Sequence, residues 1–374
     1  MANKIESLRQ ERKNIIKSYS AKNIENTYID SEVSKTKDIQ HVIVSEIIDE
    51  SSDTKSFILT SDSSKGTNEL AMFKAGQYIS VKLNINEEYA TRAYSLASSP
   101  AHAAKNIYRI TVKRVRNGLV SNYLLDNIKV GDSLTISKPT GNFTYNSIRD
   151  EKNVIAIAGG SGITPFMSLA LAIEDGLEDC DLTIFYSVRT YDDMLFKKEI
   201  ELLNKKSKRV KIHVVITREE KEGFIHGYIN KDVLAPAIKE FNTVFMCGPK
   251  SLYKAMNTIL SEFNIPRKSV HYENFYIDYN PSNIETYELK VILKNDFVLA
   301  TCKSNVTLLE SMEQAGIKAP SSCRVGVCGF CRSVLLEGKI KMIGSNMNKA
   351  VLDNDYIHPC VTYPESDIVL RLDI

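Results

Sequence analysis

The stretch Cys323-Arg324-Val325-Gly326-Val327-Cys328-Gly329-Phe330-Cys331 decides the fold of the C-terminal part of this 374-residue chain. Its cysteines are spaced C-x4-C-x2-C, and Cys360 follows after 28 further residues. Four thiolates at this spacing bind a 2Fe-2S cluster. The glycines between them let the backbone curl around the metal. We therefore predict that the metal ligands are Cys323, Cys328, Cys331 and Cys360.

Zinc is the alternative metal for these cysteines. Zinc sites usually contain two C-x2-C pairs, whereas only one such pair occurs here. A Rieske centre would need two histidine ligands, and although His358 lies near Cys360, the fourth cysteine already completes the set. We expect His358 to be a loop residue. Cys180 and Cys302 lie outside the pattern and are expected to be small buried hydrophobic residues.

Length and composition limit the remaining functions. A chain of 374 residues fits two or three domains, and 43% apolar with 25% charged residues is ordinary for a globular protein. A net charge of +2 gives no strong field for nucleic acid or an anionic membrane. No apolar stretch approaches the roughly 20 residues of a membrane span, and the N-terminus does not resemble a secretory signal. We expect a cytoplasmic protein without nucleic-acid partners or membrane spans.

The chain divides into an N-terminal extension and three predicted domains. Residues 1–37 are predicted to form a helix and linker, with a poorly ordered tail as an equal alternative. Short β-branched runs over 38–148 predict an antiparallel β-barrel. Residues 149–277 alternate buried strands with helices, which predicts a parallel sheet covered by helices. After a linker at 278–286, residues 287–374 predict a small α+β domain.

Two short motifs in the barrel predict a flavin site. Arg92-Ala93-Tyr94-Ser95 lies at the end of a strand, and Gly118-Leu119-Val120-Ser121 begins a short helix. Together they offer a guanidinium for phosphate, an aromatic face, a hydroxyl and helix-start amides. The second motif adds a pyrophosphate site, which favours FAD over FMN. Either motif alone would fit an unrelated barrel.

A glycine loop in the α/β domain predicts a second nucleotide site. Gly159-Gly160-Ser161-Gly162-Ile163-Thr164-Pro165 follows a buried strand and opens a helix, with Thr164 expected as N-cap and Pro165 as the first helical residue. Ligands of open parallel sheets bind beyond the carboxyl ends of the strands. This loop and the Cys247-Gly248-Pro249 turn are therefore expected to line one crevice. A glycine turn needed only for helix packing explains the loop equally well.

The order of RAYS, GLVS, GGSGITP, CGP and HYENF resembles that of the ferredoxin reductase superfamily, followed by a plant-type ferredoxin domain. The resemblance extends from about residue 38 to the end. Within it, YSVRTYDDMLF, EGFIHGYI and VFMCGP most resemble the NADH reductases of hybrid-cluster protein and the reductase components of Rieske or di-iron oxygenases. It implies a β-grasp ferredoxin domain, the cofactors FAD, NADH and 2Fe-2S, and an oxygenase component or hybrid-cluster protein as electron acceptor.

The resemblance also implies roles for individual residues. Arg92 and the amides near Ser121 would bind the FAD pyrophosphate, and Tyr94 would stack on the isoalloxazine. Ser95, Cys247 and Glu273 are the predicted catalytic residues at the flavin and nicotinamide rings. The predicted cofactor-binding residues are Arg92, Ala93, Tyr94, Ser95, Gly118, Val120, Ser121, Gly160, Gly162, Thr164, Pro165, Arg189, Cys247, Gly248, Pro249 and Phe275.

Three questions stay open at the level of sequence. Asp192 and Asp193 would repel the 2′-phosphate of NADPH, but Arg189 could attract it, so NADH is preferred and NADPH stays possible. A non-catalytic redox sensor or carrier is the rival of another class. From Thr286 onward the chain has ten Lys/Arg and ten Asp/Glu, so docking of the acceptor is expected to rely on a local patch around the cluster loop.

Overall fold

The structure is a computed structural model, and the fold is described from residue 39 onward. It describes residues 39–85, 88–116, 118–273, 275, 279, 281–294, 296–317, 319–321, 324, 326, 329–343 and 355–372. The predictions for residues 1–37, Cys323 and Cys328 lie outside the described residues. From residue 38 to residue 374 the chain forms one compact unit.

The first domain is the predicted antiparallel barrel. Its six strands have the order β4-β3-β6-β1-β2-β5. A bridge between Leu96 and Ile110 joins the end of β4 to β5, so the sheet curls back on itself. Alternate side chains such as Val42 and Val44 point into a fully buried core, which is why these β-branched runs form strands. The elements are β1 Ile39–Ser51, β2 Thr54–Ser61, β3 Tyr78–Ile85, β4 Glu88–Ser95, β5 Ile107–Lys113 and β6 Ser133–Ser137, with helices α1 Pro100–Ala103 and α2 Leu119–Asn127.

The second domain contains a parallel six-stranded sheet of order β10-β9-β8-β7-β11-β12. The chain runs from β7 outward to β10 and then returns to the other side of β7, so the strand order reverses between β7 and β11. Such a switch point is where open α/β sheets bind ligands. The elements are β7 Asn153–Gly159, β8 Asp181–Val188, β9 Val210–Ile216, β10 Ile225–His226, β11 Thr243–Cys247 and β12 Val270–Glu273, with helices α3 Thr164–Glu174, α4 Lys197–Lys206, α5 Lys231–Leu234 and α6 Lys250–Glu262.

The third domain is a mixed five-stranded sheet of order β14-β13-β19-β15-β17, with a second pair, β16 and β18. Its helix α7 begins after Thr307, whose side chain accepts a hydrogen bond from the Glu310 N–H. The helix buries Leu308 and Met312 in the core of the domain. The elements are β13 Thr286–Ile292, β14 Phe297–Lys303, β15 Ser333–Glu337, β16 Ile340–Met342, β17 Tyr356–Ile357, β18 Thr362–Pro364 and β19 Ile368–Arg371, with helix α7 Leu308–Gln314.

The end of the predicted linker is fixed to the third domain. β13 begins at Thr286, the last residue assigned to that linker. The Glu285 N–H donates to Ser304 Oγ at 2.9 Å, and the Tyr279 ring lies 4.7 Å from the Tyr363 ring. In the part of the chain that the structure describes, none of the helices combines the length and apolar character needed to cross a bilayer.

Candidate flavin, nicotinamide and iron-sulfur sites

The switch point of the parallel sheet brings the glycine loop against the Cys247 turn. A Cβ atom on Gly162 would lie 2.1 Å from the Cys247 carbonyl oxygen, and one on Gly159 would lie 2.7 Å from Cδ of Pro249. Only glycine permits this approach. The structure therefore packs the loop against the turn, and close packing explains two of its glycines. That the loop and the turn line one nucleotide crevice stays a prediction. Gly160 has φ +55° and open space around it.

The start of helix α3 differs from the expectation. Thr164 was expected as the N-cap, but it is already helical, with φ −55° and ψ −49°. It is therefore the first residue of the helix, and Pro165 is the second. A 3-10 turn over Gly160–Ile163 leads directly into the helix, and the Thr164 hydroxyl donates to the Ser161 carbonyl at 3.0 Å. The threonine side chain thus closes the glycine loop instead of capping the helix.

Cys247 is a buried, neutral thiol at the end of β11. It is inaccessible to solvent, and burial, followed by the charge of Glu273, raises its pKa well above the ordinary value. The Tyr253 hydroxyl accepts from the Gly248 N–H at 2.9 Å and donates to the Glu273 carbonyl at 2.5 Å. Tyr253 thereby ties the Cys247 turn to β12. A thiol held in this way shapes the crevice and does not supply a thiolate.

Glu273 and Ser95 bring the first two domains together at this crevice. Glu273 pairs with Cys247 across β11 and β12, whereas Ser95 ends β4 of the barrel. Glu273 Oε2 and Ser95 Oγ are both buried without a hydrogen-bond partner in the described structure. Burial raises the pKa of Glu273 to about 8, with the neighbouring Ser95 hydroxyl opposing the shift. These two buried polar atoms, one from each domain, lie next to each other and fit a ligand that hydrogen-bonds to both. Phe275 is half-buried and packs against the core of the α/β domain.

The RAYS motif lies on β4, with Arg92 opposite Val81 and Ala93 opposite Ser80 on β3. Tyr94 is half-buried against the barrel core. Burial, and then the charge of Arg324 in the third domain, lower the pKa of Arg92, whereas the Glu310 charge opposes them. The Arg92 guanidinium therefore lies where the barrel meets the third domain, a position from which it could neutralise a flavin phosphate.

The GLVS motif forms the N-terminus of α2, where the helix has no side-chain cap. Gly118 is the N-cap and offers no side-chain hydrogen bond. A Cβ atom there would lie 2.6 Å from Ser121 Oγ, so this position needs glycine. Ser121 Oγ accepts from the Val115 N–H at 3.3 Å, and the Val120 side chain is buried in the core. The amides of the first turn, and not these side chains, are therefore the groups that fit a pyrophosphate.

Cys331 and Cys360 come together in the core of the third domain. Both are buried, and their sulfur atoms are 3.3 Å apart, longer than the ~2.05 Å of a disulfide bond. The His358 Nδ1 atom is 2.9 Å from the Gly326 carbonyl, so this loop residue links the cluster loop to the Cys360 turn. Gly326 has φ +77°. This pair fits one half of a thiolate-ligated cluster; the roles of Cys323 and Cys328 stay predictions.

The residues that follow β8 are those predicted to lie near the adenosine half of a dinucleotide. Arg189 is exposed, and its carbonyl accepts from the Arg218 N–H at 2.9 Å. Asp193 Oδ2 accepts from the Thr190 N–H at 3.3 Å and from its hydroxyl at 3.1 Å. Asp193 therefore closes a turn, and of the two acidic residues only Asp192 is exposed. The predicted repulsion of the NADPH 2′-phosphate therefore rests on the carboxylate of Asp192 alone and is weaker than the sequence suggested.

One residue that builds the site, Tyr253, could not be recognised from the sequence. Tyr253 is the one aromatic residue on the amphipathic helix α6, and its neighbours in the sequence do not show that its hydroxyl binds the Cys247 turn. Buried Cys180 and Cys302 are the small hydrophobic residues that were expected.

Three protein families match successive parts of the chain. Residues 41–145 match the oxidoreductase FAD-binding domain, residues 156–258 the oxidoreductase NAD-binding domain, and residues 295–365 the 2Fe-2S iron-sulfur cluster binding domain. These matches fall on the barrel, the parallel sheet and the third domain respectively.

Curated proteins and solved structures resemble nearly the whole chain. The glycine betaine monooxygenase reductase subunit of Chromohalobacter salexigens is 26% identical and matches 87% of this chain and 93% of its own. The NADH oxidoreductase HCR of Escherichia coli is 27% identical over 80% of this chain and 88% of its own. The structure of phthalate dioxygenase reductase, described as modular for electron transfer from pyridine nucleotides to 2Fe-2S, is 27% identical, with a TM-score of 0.66 over 90% of this chain and 98% of that one.

The order of the three domains and the pair of buried cysteines in the third domain agree with these family matches. The chain is an NAD(P)H oxidoreductase that contains an FAD-binding domain, an NAD-binding domain and a C-terminal 2Fe-2S domain, in the order of the ferredoxin reductases that it resembles.

Proposed function

We propose that this protein is the reductase component of an oxygenase and passes electrons from NADH through FAD and the 2Fe-2S cluster to that partner. The observation that carries the proposal is the crevice where Ser95 of the barrel meets Cys247 and Glu273 of the parallel sheet. It lies at the switch point and contains two buried polar atoms, Glu273 Oε2 and Ser95 Oγ, with no hydrogen-bond partner recorded among the described residues.

The residues of the crevice position ligands and do not perform acid-base chemistry. When bound, FAD supplies hydride acceptance and release of single electrons, chemistry that side chains lack. The buried Cys247 thiol sets the shape of the nicotinamide side. Glu273 holds a proton at neutral pH because its pKa is raised to about 8, so the crevice carries no fixed negative charge next to an electron-rich ring. Ser95 offers a hydroxyl from the barrel side.

We place the docking surface for the acceptor at the exposed edge of the cluster loop. The Phe330 side chain is 61% exposed, although it directly precedes the buried Cys331. The exposed Arg332 has its guanidinium 4.6 Å above the Tyr356 ring. These three residues form the exit patch. An aromatic group, a cation and a half-buried tyrosine next to the ligands give an acceptor both contact area and a short electron path.

The oxygenase component is preferred as partner because the glycine betaine monooxygenase reductase subunit matches 87% of this chain. Hybrid-cluster protein is the alternative acceptor, supported by the likeness to the NADH oxidoreductase HCR. NADH is the proposed donor, although Arg189 and Arg218 keep NADPH possible. Because thiolate ligands persist in reducing compartments, we place the reaction in the cytoplasm.

Turnover of the purified protein tests the proposal. We expect NADH oxidation with ferricyanide, and reduction of cytochrome c that depends on the cluster. A protein that contains FAD and the cluster but does not oxidise NADH would instead be a redox sensor or carrier. Extraction of FMN alone would contradict the FAD assignment, and a higher kcat/KM for NADPH would overturn the choice of donor.

The acceptor is tested separately. The candidate oxygenase component and the candidate hybrid-cluster protein, each encoded near this reductase or supplied by a related organism, are mixed with it and NADH under anaerobic conditions. We expect faster reduction of the oxygenase component. Faster reduction of hybrid-cluster protein would replace the first assignment with the second.

A further inference from the structure

Arg109 lies between two carboxylates that belong to different domains. It is on β5 of the barrel, and one nitrogen, Nη1, donates to Glu199 Oε1 on helix α4 at 2.6 Å. The other, Nη2, donates to Glu50 Oε1 on β1. The side chains are 12% exposed for Arg109, 6% for Glu50 and 34% for Glu199. We call Glu50, Arg109 and Glu199 the interdomain clamp.

Glu50 also holds the entry to helix α4 directly. Its Oε2 accepts from the Phe196 N–H at 2.9 Å, and its Oε1 accepts from Ser56 Oγ at 2.6 Å. Phe196 precedes α4 in the left-handed region, with φ +56°, a conformation that is strained for a bulky residue. The Arg109 guanidinium lies 4.6 Å above the Phe196 ring. A barrel carboxylate thus fixes the strained residue at which a helix of the other domain begins.

Hydrogen bonds connect the clamp to the segment that follows Ser95. The Ala97 N–H, two residues after Ser95, donates to the Arg109 carbonyl at 2.8 Å. The next residue, Ser98, accepts through its carbonyl from Ser168 Oγ of helix α3 at 2.7 Å. The segment that follows Ser95 is therefore attached on one side to Arg109 and on the other to the α/β domain.

We propose that Arg109 is a positioning residue for hydride transfer: through the clamp it fixes the angle between the two nucleotide-binding domains, and so the approach of Ser95 to Glu273. The inference rests on the proposed function. The buried Glu50 and the half-buried Glu199 share one guanidinium, so removal of the cation leaves two anions facing each other across the domain boundary. Their repulsion opens the boundary, and a displacement of about 1 Å is enough to lower a reaction rate 100-fold.

The test compares Arg109→Met with a matched control. Arg209 also bridges two carboxylates, Asp179 at 2.8 Å and Asp181 at 3.4 Å, but both lie within the α/β domain. In the FAD-loaded holoprotein, we expect Arg109→Met to slow flavin reduction by NADH between about 10- and 100-fold, with a weaker long-wavelength charge-transfer absorbance. Arg209→Met should keep both. Arg109→Lys, which retains the charge but not the two-pronged geometry, should fall between them.

Hydrogen exchange supplies a readout that needs no turnover. Without the clamp, the Phe196 amide should lose protection, and a peptide over residues 190–203 should exchange faster in Arg109→Met than in Arg209→Met. If Arg109→Met is recovered poorly, Glu199→Gln removes the more exposed carboxylate and should still accelerate this exchange. Exchange is measured without NADH. A wild-type protein that does not oxidise NADH would therefore contradict the proposed function, while the exchange rates of the variants would still test the clamp.

Two results would overturn the inference. One is Arg109→Met reducing its flavin at the wild-type rate with full charge-transfer absorbance. The other is equal slowing in Arg109→Met and Arg209→Met, because loss of a general ion pair would then explain the effect.

Discussion

Replacing Glu273 by glutamine should remove a pH dependence from the stability of this protein. Burial raises the pKa of the Glu273 carboxyl from 4.5 to about 8, so the folded protein keeps a proton that the unfolded chain has released by pH 6. A group whose folded pKa is raised contributes stability that is fully present below its unfolded pKa and is lost as pH rises through the folded pKa. Glutamine keeps the size of the protonated carboxyl and cannot ionise.

The size of the effect follows from the shift. A change from 4.5 to about 8 corresponds to an upper limit of about 5 kcal/mol, since one pKa unit is worth about 1.4 kcal/mol. Because the residue as a whole is only partly buried, we expect on the order of 2–5 kcal/mol. Wild type and Glu273→Gln should be equally stable near pH 4.5, and the variant should be more stable above pH 8.

Calorimetry of the FAD-loaded protein at several pH values measures this difference. A stability difference of 1 kcal/mol shifts Tm by about 2–4 °C in a domain of about 150–250 residues, so the gap between variant and wild type should widen by several degrees. Glu201→Gln, at an exposed position of helix α4, is the matched control and should show no widening. A gap independent of pH, or a wild type more stable than the variant above pH 8, would refute burial as the cause.

Five further changes test the sites. Gly162→Ala places a Cβ atom 2.1 Å from the Cys247 carbonyl, so it should destabilise the protein by about 1–3 kcal/mol and raise KM for NADH; an unchanged Tm and KM would contradict the close approach. Cys247→Ala should slow hydride transfer in stopped-flow measurements while FAD stays bound, and loss of FAD would contradict its role. A chain ended within residues 278–286, or Cys328→Ser in the full chain, should keep ferricyanide reduction and lose cytochrome c reduction; undiminished cytochrome c reduction would show direct exit from the flavin. Phe330→Ser should lower reduction of the protein acceptor several-fold while ferricyanide reduction is unchanged, whereas equal losses with both acceptors would place Phe330 outside docking.

The cluster and the glycine loops were predictable because each imposes a fixed local spacing. Three of the four predicted cluster ligands follow one another at short intervals, and Gly118 is required by contacts with Val115 and Ser121 nearby in the sequence. The contact that requires Gly162 is with Cys247 on another strand, so the sequence showed a glycine loop there but not the reason for that glycine. The start of helix α3 was predicted wrongly at Thr164, because sequence alone does not reveal the 3-10 turn that leads into the helix. Whether a helix starts from an extended N-cap residue or from a 3-10 turn depends on the φ and ψ angles of a single residue.

The interdomain contacts were not predictable from the sequence. Glu50, Arg109 and Glu199 are separated by 59 and 90 residues along the chain, and each is an ordinary charged residue in its own segment. Only the packing of one domain on the other brings them together. The raised pKa of Glu273 likewise depends on burial by several elements, so the HYENF motif indicated the position of the carboxyl but not its protonation.

The buried thiol at the end of β11 has a consequence for the working life of the enzyme. Reduced flavoproteins react with oxygen, and the peroxide formed attacks thiolates far faster than thiols. Cys247 is inaccessible to solvent, and its pKa is raised well above the ordinary value. Cys247 is therefore kept in its unreactive thiol form, and the burial that fixes its place against the glycine loop also protects this turn against oxidation.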